Sequence, residues 1–211
     1  LLTNNIIVAG SASTDKKISE FALDNELGGF EFLTCIPGTI GGGLRMNAGC
    51  FNSEIKDILV SVQAIDRLGK VITIPANKIL FKYRNNNLPE DLIFLSASFK
   101  GEKKDKEMIE KKMKELKKTK DYSQPTKIKT SGSTFKNPIE QTDKKVWELI
   151  RDSVPLDTSF GDAHISEIHA NFFVNKNNAS FNDMKKLIDF VSKSVEKKTG
   201  IKLEKEIKIL E

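Results

Sequence analysis

Three polar side chains stand where they are able to do chemistry. Arg84 directly follows an aromatic residue at the end of a turn, and a guanidinium there can hold a carboxylate or phosphate with two hydrogen bonds. Ser133 lies between a glycine and a threonine with no histidine nearby in sequence, and Glu206 lies on the charged side of the C-terminal tail. Each also has an ordinary structural interpretation, as an exposed arginine, a turn serine and a solvated carboxylate. The residue types alone leave both possibilities open.

The glycine-rich run IPGTIGGGLRMNAG, at residues 36–49, is the most distinctive stretch of the chain. Clustered glycines mark either positive φ angles or places where the backbone approaches something closely. Successive exposed N–H groups in such a turn can form a concave site for phosphate. The spacing fits neither the Rossmann nor the P-loop fingerprint. The run therefore predicts either a tight structural connection or a loop that holds a ligand.

Metal and nucleic-acid chemistry have little support. His164 and His169 are five residues apart without companion cysteines, so no metal site is predicted. Cys35 and Cys50 do not form a C-x-x-C pair, and reduced thiols of a cytoplasmic protein are expected. The formal charge of +5 fits attraction to polyanions or an ordinary lysine-rich surface. Acidic residues interrupt the lysines of 103–120 and no reader motif accompanies them, so no nucleic-acid partner is predicted.

Hydrophobic patterning predicts an α+β chain that carries these residues. The composition, 38% hydrophobic and 30% charged over 211 residues, is typical of a soluble globular protein. Its longest apolar runs, such as residues 92–95, are far shorter than the ~20 residues of a membrane helix, so no membrane partner is expected. No signal peptide is visible, and a cytoplasmic location is expected. Because the chain begins at Leu1, without Met, we expect a fragment that lacks its front part.

Local signals predict two domains, residues 1–101 and residues 102–211. Strands are expected at 5–9, 58–66, 71–74, 92–99 and 170–175, and in the tail 201–211 that carries Glu206. Helices are expected from Ser13 or Thr14 to Gly28, over 103–120, around 146–150, and from Ser180 to Gly200. Residues 131–138 and 152–163 are expected to be turns or loops.

Five motifs in one order give the chain a family resemblance. They are IPGTIGG with MNAG, then YRN, SGSTFKNP, HANFFVN and LEKEIKI, from about Phe30 to Glu211. In this order they resemble the UDP-N-acetylenolpyruvoylglucosamine reductase family, flavoproteins of early peptidoglycan synthesis. The resemblance implies the latter part of a FAD-binding domain of the vanillyl-alcohol-oxidase type, followed by an α+β substrate-binding domain. The short interval between Arg84 and Ser133 resembles the class without a tyrosine-bearing insertion, and residues 157–163 depart from the usual pattern.

The resemblance also implies roles for the residues that match its motifs. Catalytic residues are implied at Arg84, at Ser133 in preference to Ser131, and at Glu206 in preference to Glu204. Contacts to the enolpyruvyl substrate are implied for Tyr83, Asn137 and His169. The implied FAD-binding residues, which would wrap the diphosphate, are Ile36, Pro37, Gly38, Thr39, Ile40, Gly41, Gly42, Asn47, Ala48 and Gly49.

The implied reaction uses NADPH to reduce FAD, which then reduces UDP-N-acetylglucosamine enolpyruvate to UDP-N-acetylmuramate. In it, Arg84 and Glu206 stabilise the enolate charge and Ser133 protonates the remaining carbon. A monomer is expected. Two other functions are compatible with the sequence. One is another flavoprotein of the same fold, such as an alcohol oxidase. The other is a basic binding module in which the glycine run is only a turn.

Overall fold

The computed structural model describes residues 1–125 and 128–210. They form two compact units, Leu1–Lys120 and Asp121–Glu211, each with its own sheet and hydrophobic core. The strands and helices of the first unit are, in chain order, β1 (Leu2–Thr3), β2 (Ile6–Gly10), α1 (Asp15–Asp24), β3 (Leu27–Gly28), α2 (Ile40–Met46), β4 (Gly49–Cys50), β5 (Ser53–Glu54), α3 (Ile55–Ile58), β6 (Leu59–Ile65), β7 (Val71–Pro75), β8 (Ile93–Lys100), β9 (Glu102–Lys103) and α4 (Lys106–Ser123). Short 3-10 helices occupy Glu31–Cys35 and Ala76–Lys78.

A five-stranded antiparallel sheet is the frame of the first unit, in the order β1-β2-β8-β6-β7. The apolar run 92–99 was predicted to be a central strand, and β8 indeed pairs with β2 on one side and β6 on the other. Phe94, Ala97 and Phe99 of β8 are buried in the core. The predicted hairpin between β6 and β7 is also present.

Helix α1 begins at its predicted cap. The hydroxyl of Thr14 accepts a hydrogen bond from the Lys17 amide at 3.2 Å, which satisfies one of the free N–H groups of the first turn. The helix ends at Asp24, before the predicted Gly28, because Glu26 adopts a left-handed φ of 56°. Residues 27–28 then pair with β9 instead of continuing the helix.

Helix α4 belongs mostly to the first unit, whereas the sequence placed it in the second domain. Leu116 is buried in the core of the first unit, and the ammonium group of Lys120 donates to the Cys35 carbonyl at 2.8 Å. Asp105 caps the helix by accepting from the amides of Glu107 and Met108. These contacts place the division after Lys120 and not before the charged helix.

The second unit packs two helices on one antiparallel sheet of order β10-β13-β12-β11. Its elements are β10 (Lys129–Ser133), α5 (Val146–Ser153), β11 (Ser159–Phe160), β12 (Ala163–Ile165), β13 (Phe172–Asn175) and α6 (Phe181–Thr199). Helix α6 follows its prediction, with Ser180 as N-cap and Gly200 in the left-handed conformation after its end. Its apolar stripe, Leu187, Ile188, Val191 and Val195, is buried in the core.

Two segments of the second unit differ from the prediction. Residues 131–133 were expected to be part of a turn, but they end strand β10, which pairs with β13 through a bulge at which Gly132 adopts a φ of +86°. Residues 159–160 form a short strand within the expected loop, and a second short strand, residues 163–165, begins at its last residue.

The tail was predicted to be a strand over residues 201–211, and this is wrong over residues 201–210, which the structure describes. Its alternating apolar residues do pack on the core, as expected. However, its only strand-like pairing among the described residues is one antiparallel bridge, Phe135 to Lys205. The chain bends directly after that bridge, so the ladder does not extend.

Candidate active site

The glycine-rich run folds as helix α2 and its flanks, with Thr39 as the N-cap residue. Its first amides already have acceptors within the first unit. Ile40 and Gly41 donate to the carbonyls of Ser13 and Ser11 at 2.9 and 2.8 Å, and Gly43 donates to the Thr39 carbonyl at 2.8 Å. These N–H groups therefore do not form the open phosphate site that a turn with exposed amides would provide.

Most glycines of the run are required by close packing and not by positive φ. A Cβ at Gly41 would lie 3.1 Å from Ser11, and one at Gly43 would lie 2.5 Å from Cδ1 of Ile55. Gly42 is different, because it is exposed and a Cβ there would meet only the Thr39 hydroxyl, at 3.7 Å. Glycine in a helix costs about 1 kcal/mol relative to alanine, and packing within this chain does not explain that cost at Gly42.

The exposed residues Pro37, Gly38, Thr39 and Gly42 form a rim at the start of helix α2. We call these four residues the glycine rim. Below it lies the carboxyl group of Asp15, which is fully buried and has no hydrogen-bond partner among the described residues. Burial raises the pKa of Asp15 to about 6. The sequence did not single this residue out, since an acid in the first turn of a helix is ordinary.

Arg84 lies in a two-residue turn with Tyr83. Lys82 and Asn85 close the turn by exchanging backbone hydrogen bonds of 2.8 and 3.2 Å. Arg84 adopts a left-handed φ of 55°, which is uncommon for a residue with a long side chain. Its guanidinium lies 5.0 Å from the centre of the Tyr83 ring and donates to the Gly49 carbonyl at 3.5 Å. The ring face and the carbonyl restrain the direction of this cation.

The segment around this turn is attached to helix α2. The Arg45 guanidinium donates to the carbonyls of Leu88, Pro89 and Leu92 and lies 4.4 Å from the centre of the Phe94 ring. The buried amide of Asn86 donates to the Leu44 carbonyl at 2.9 Å. The glycine-rich run therefore holds the segment that follows the turn of Tyr83 and Arg84, which we call the arginine turn. The sequence analysis had treated these two motifs separately.

Asn47, for which the resemblance implied a cofactor contact, is fully buried. Its side-chain amide donates to Glu54 at 3.0 Å and to the Lys82 carbonyl at 3.2 Å, while its oxygen accepts from the Lys56 amide at 3.2 Å. Both amide hydrogens are thus donated within the first unit, so this side chain cannot donate to a cofactor without breaking them.

A hydrogen bond joins the thiols of Cys35 and Cys50 beside the arginine turn. This bond, together with burial, raises the pKa of Cys50, against an opposite influence from the charges of Lys120 and Arg84. Both cysteines are free thiols in this structure. The raised pKa keeps Cys50 in its protonated and less nucleophilic form.

In the second unit the backbone brings Ser133 and Glu206 to adjacent segments. Ser133 ends β10, and the carbonyl of the next residue, Thr134, accepts from the Glu206 amide at 2.9 Å. Glu206 is half-buried, whereas Glu204 is exposed and forms an ion pair with Lys136 at 2.5 Å. Ser133 is likewise half-buried and Ser131 exposed. The partial burial of Ser133 and Glu206 supports the choice of these two residues over their neighbours.

Asn137 and His169 have defined contacts in the second unit. The side-chain oxygen of Asn137 accepts from the Val146 amide at 3.0 Å, at the start of helix α5. His169 accepts a 3.2 Å bond at Nδ1 from the Asn171 amide, and its ring centre lies 4.8 Å from that of Phe172. Burial lowers the pKa of His169, so the imidazole is neutral at pH 7 and Nε2 carries its hydrogen.

Asn171 is a residue of this site that the sequence analysis missed. It is buried and bonds to both backbone groups of Phe135, at 2.8 and 3.0 Å, while its own carbonyl accepts from the Thr134 amide at 2.8 Å. It thereby fixes the backbone directly after Ser133. A polar residue between Ala170 and Phe172, directly before strand β13, was the available signal.

Across 1–125 and 128–210, no group of three or more His, Cys, Asp or Glu side chains is placed to hold a metal ion. Within that described part, no helix is long and apolar enough to cross a membrane.

Comparison with known proteins decides the family. Residues 2–75 match the profile of an FAD binding domain, and residues 124–210 match that of the UDP-N-acetylenolpyruvoylglucosamine reductase C-terminal domain. The UDP-N-acetylenolpyruvoylglucosamine reductase of Pelagibacter ubique strain HTCC1062 is 75% identical over 210 residues, which cover 100% of this chain and 70% of that protein. The chain belongs to the UDP-N-acetylenolpyruvoylglucosamine reductase family.

Other members of this reductase family are also similar to the chain. The Rickettsia conorii reductase is 45% identical over 205 residues, covering 97% of this chain and 68% of its own. The crystal structure of the Thermus caldophilus reductase superposes with a TM-score of 0.84 at 28% identity, over 98% of this chain and 73% of its own. The predicted family and the predicted α+β fold with a FAD-binding domain are therefore confirmed. Membership in a reductase family also excludes the non-enzymatic binding module.

Proposed function

We propose that this protein reduces UDP-N-acetylglucosamine enolpyruvate to UDP-N-acetylmuramate, with FAD as cofactor and NADPH as the source of hydride. The observation that carries the proposal is the pairing of Glu206 with the residue after Ser133, in a chain whose first unit contains both Arg84 and the FAD-binding segment 2–75. In reduction of an enolpyruvyl group, a cation can stabilise the enolate charge and a hydroxyl can supply the proton.

The glycine rim fits a contact with FAD. Gly42 is exposed, lies at a helix start and lacks an internal reason to be glycine, so a ligand can approach its backbone closely. When bound, FAD would carry hydride from NADPH to the enolpyruvyl group.

Arg84 would stabilise the negative charge that develops on the substrate carboxylate as hydride arrives at the vinyl carbon. The guanidinium is always protonated and presents paired N–H groups to a carboxylate. The Tyr83 ring and the Gly49 carbonyl hold it in one direction before substrate binds, and such preorganisation is the main source of electrostatic catalysis.

Ser133 would donate the proton that completes the reduction, while Glu206 assists from the adjacent segment. A hydroxyl is a weak acid, but a carbanionic enolate is basic enough to take its proton. The bonds from Asn171 to residues 134 and 135 fix the backbone that presents the hydroxyl. Neutral His169 would offer a hydrogen-bond donor to substrate and Asn137 a further polar contact.

We further propose that the enzyme acts in the cytoplasm as a monomer and supplies a peptidoglycan precursor. The nucleotide-sugar substrate and the mixed charges of helix α4 support this assignment. No partner among nucleic acids or membranes is proposed.

Ser133→Ala tests the proton donor. We expect NADPH to reduce the flavin at the wild-type rate, because that step needs no serine, while formation of UDP-N-acetylmuramate falls by about 100-fold or more. The measurement is stopped-flow absorbance of the flavin for each half-reaction, with product analysis. Ser131→Ala, an exposed serine on the same strand, is the matched control and should behave as wild type. Turnover of Ser133→Ala within a few-fold of wild type would refute the assignment.

A further inference from the structure

Asn47 ends helix α2 in a conformation that few residues adopt. Its φ of 42° and ψ of 55° are left-handed, and it is completely buried. Glycine, asparagine and aspartate adopt this conformation more readily than other residues. The backbone therefore favours these three types, and a second requirement must choose between them.

The second requirement comes from three hydrogen bonds that the Asn47 side chain forms with two other segments of the chain. The amide nitrogen donates to Glu54 and to the Lys82 carbonyl, and the amide oxygen accepts from the Lys56 backbone. Glycine would keep the backbone but supply none of these bonds. Aspartate would keep the acceptor, but it would lose both donors and face the carboxylate of Glu54.

The Lys82 carbonyl matters because Lys82 closes the turn that carries Tyr83 and Arg84. The guanidinium of Arg84 also donates to the Gly49 carbonyl, two residues after Asn47. Asn47 thus fixes both the base of the turn and the chain that leads to one of the guanidinium's acceptors. Loss of its amide would release the base of the turn and so shift Arg84, although the arginine side chain itself is unchanged.

We propose that Asn47 is a positioning residue for Arg84 and not a cofactor ligand. The inference rests on the proposed function, since it assumes that Arg84 acts on the enolpyruvyl substrate. It predicts that removal of the Asn47 amide slows the substrate half-reaction and leaves cofactor binding unchanged. A cofactor ligand at this position would give the opposite pattern.

The test compares Asn47→Gly and Asn47→Asp in the flavin-loaded enzyme. Asn52→Gly is the matched control, since Asn52 is also left-handed, with a φ of 64°, but exposed. For both Asn47 variants we expect the FAD dissociation constant and the rate of flavin reduction by NADPH to stay within about twofold of wild type. Oxidation of the reduced flavin by the enolpyruvyl substrate should slow by about 100-fold, the cost of misplacing a catalytic group by roughly 1 Å. Asn52→Gly should leave all three quantities unchanged.

A double variant separates positioning from a general loss of structure. If Asn47 acts through Arg84, then Asn47→Gly combined with Arg84→Ala should be no slower in the substrate half-reaction than Arg84→Ala alone. Multiplied losses in the double variant, or FAD affinity reduced more than tenfold in Asn47→Gly, would overturn the inference.

The same series distinguishes the two proposals. A slow Arg84→Ala enzyme beside an unimpaired Asn47→Gly enzyme would overturn the role of Asn47 alone. An unimpaired Arg84→Ala enzyme would instead overturn the role of Arg84 in the proposed function, and the positioning role with it.

Discussion

A carboxyl group that is buried without a hydrogen-bond partner destabilises a protein when it ionises, and Asp15 is such a group among the described residues. Its place at the first position of helix α1 favours the charged form through the helix dipole. Nevertheless, burial raises its pKa from 3.8 to about 6, so the loss of hydration outweighs the dipole.

This shift predicts how stability depends on pH. The pKa of Asp15 is higher in the folded protein than in the unfolded chain. Protonation of Asp15 therefore stabilises the folded protein, and this contribution is complete when the pH lies below the pKa of the unfolded chain, 3.8. That contribution is lost as the pH rises through about 6. Asp15→Ala lacks the titrating group, so its free energy of unfolding relative to wild type should increase by up to about 3 kcal/mol between about pH 4 and about pH 8.

Urea unfolding of both proteins across this pH range measures the difference. Ser19→Ala is the control, because Ser19 is buried on the same helix but does not titrate. A difference between Asp15→Ala and wild type that stays constant with pH would show that the Asp15 carboxyl is hydrated or paired in solution.

Helix α2 is the element that links cofactor and substrate chemistry in the first unit. Its glycines serve two different purposes, and alanine substitutions can separate them. Gly42→Ala should leave stability unchanged or raise it by up to about 1 kcal/mol, because alanine is the better helix residue. It should nevertheless weaken FAD binding by about tenfold or more, since a methyl group would stand on the glycine rim.

Gly43→Ala is the contrasting variant. A Cβ there would lie 2.5 Å from Cδ1 of the buried Ile55, so we expect a loss of about 1–3 kcal/mol of stability from overpacking. Thermal unfolding and fluorescence titration with FAD measure the two effects. If Gly42→Ala bound FAD with wild-type affinity, the glycine rim would not be part of the cofactor site.

The elements that the sequence predicted well are those specified locally. Helix α6 has a capping serine, a regular apolar stripe and a terminal glycine, all within its own segment. Strand β10, in contrast, forms by pairing with β13, about forty residues later in the chain. It was not predicted, because Gly132 within it is a residue typical of turns. Helix α2 was missed because three successive glycines oppose helix formation, and its stability comes from Thr39, Asn47 and packing on β2 and β8.

In the candidate site, too, the sequence indicates residues that belong to local motifs and not those that act through distant contacts. Motif order led to the expected roles of Arg84, Ser133 and Glu206, because each stands in a recognisable run. The side chains that bond to the backbone near these residues act across the chain. Asn47 reaches Lys82 and Asn171 reaches Phe135, contacts that no local pattern encodes.

At the scale of the whole molecule, the chain consists of two units with separate cores. The segment that matches an FAD binding domain, residues 2–75, lies entirely in the first unit. Separate cores predict separate unfolding transitions, because domains commonly unfold as independent cooperative units. A ligand that binds one folded unit stabilises that unit by mass action.

Calorimetry with two matched core variants tests this organisation. Leu33 and Leu187 are fully buried, the first in the core of the first unit and the second in that of the second. Each leucine-to-alanine change should cost about 2–5 kcal/mol, and each should lower the melting temperature of a different transition. Added FAD should raise only the transition that Leu33→Ala lowers. One transition that both variants shift equally, and that FAD raises as a whole, would show instead that the two cores unfold together.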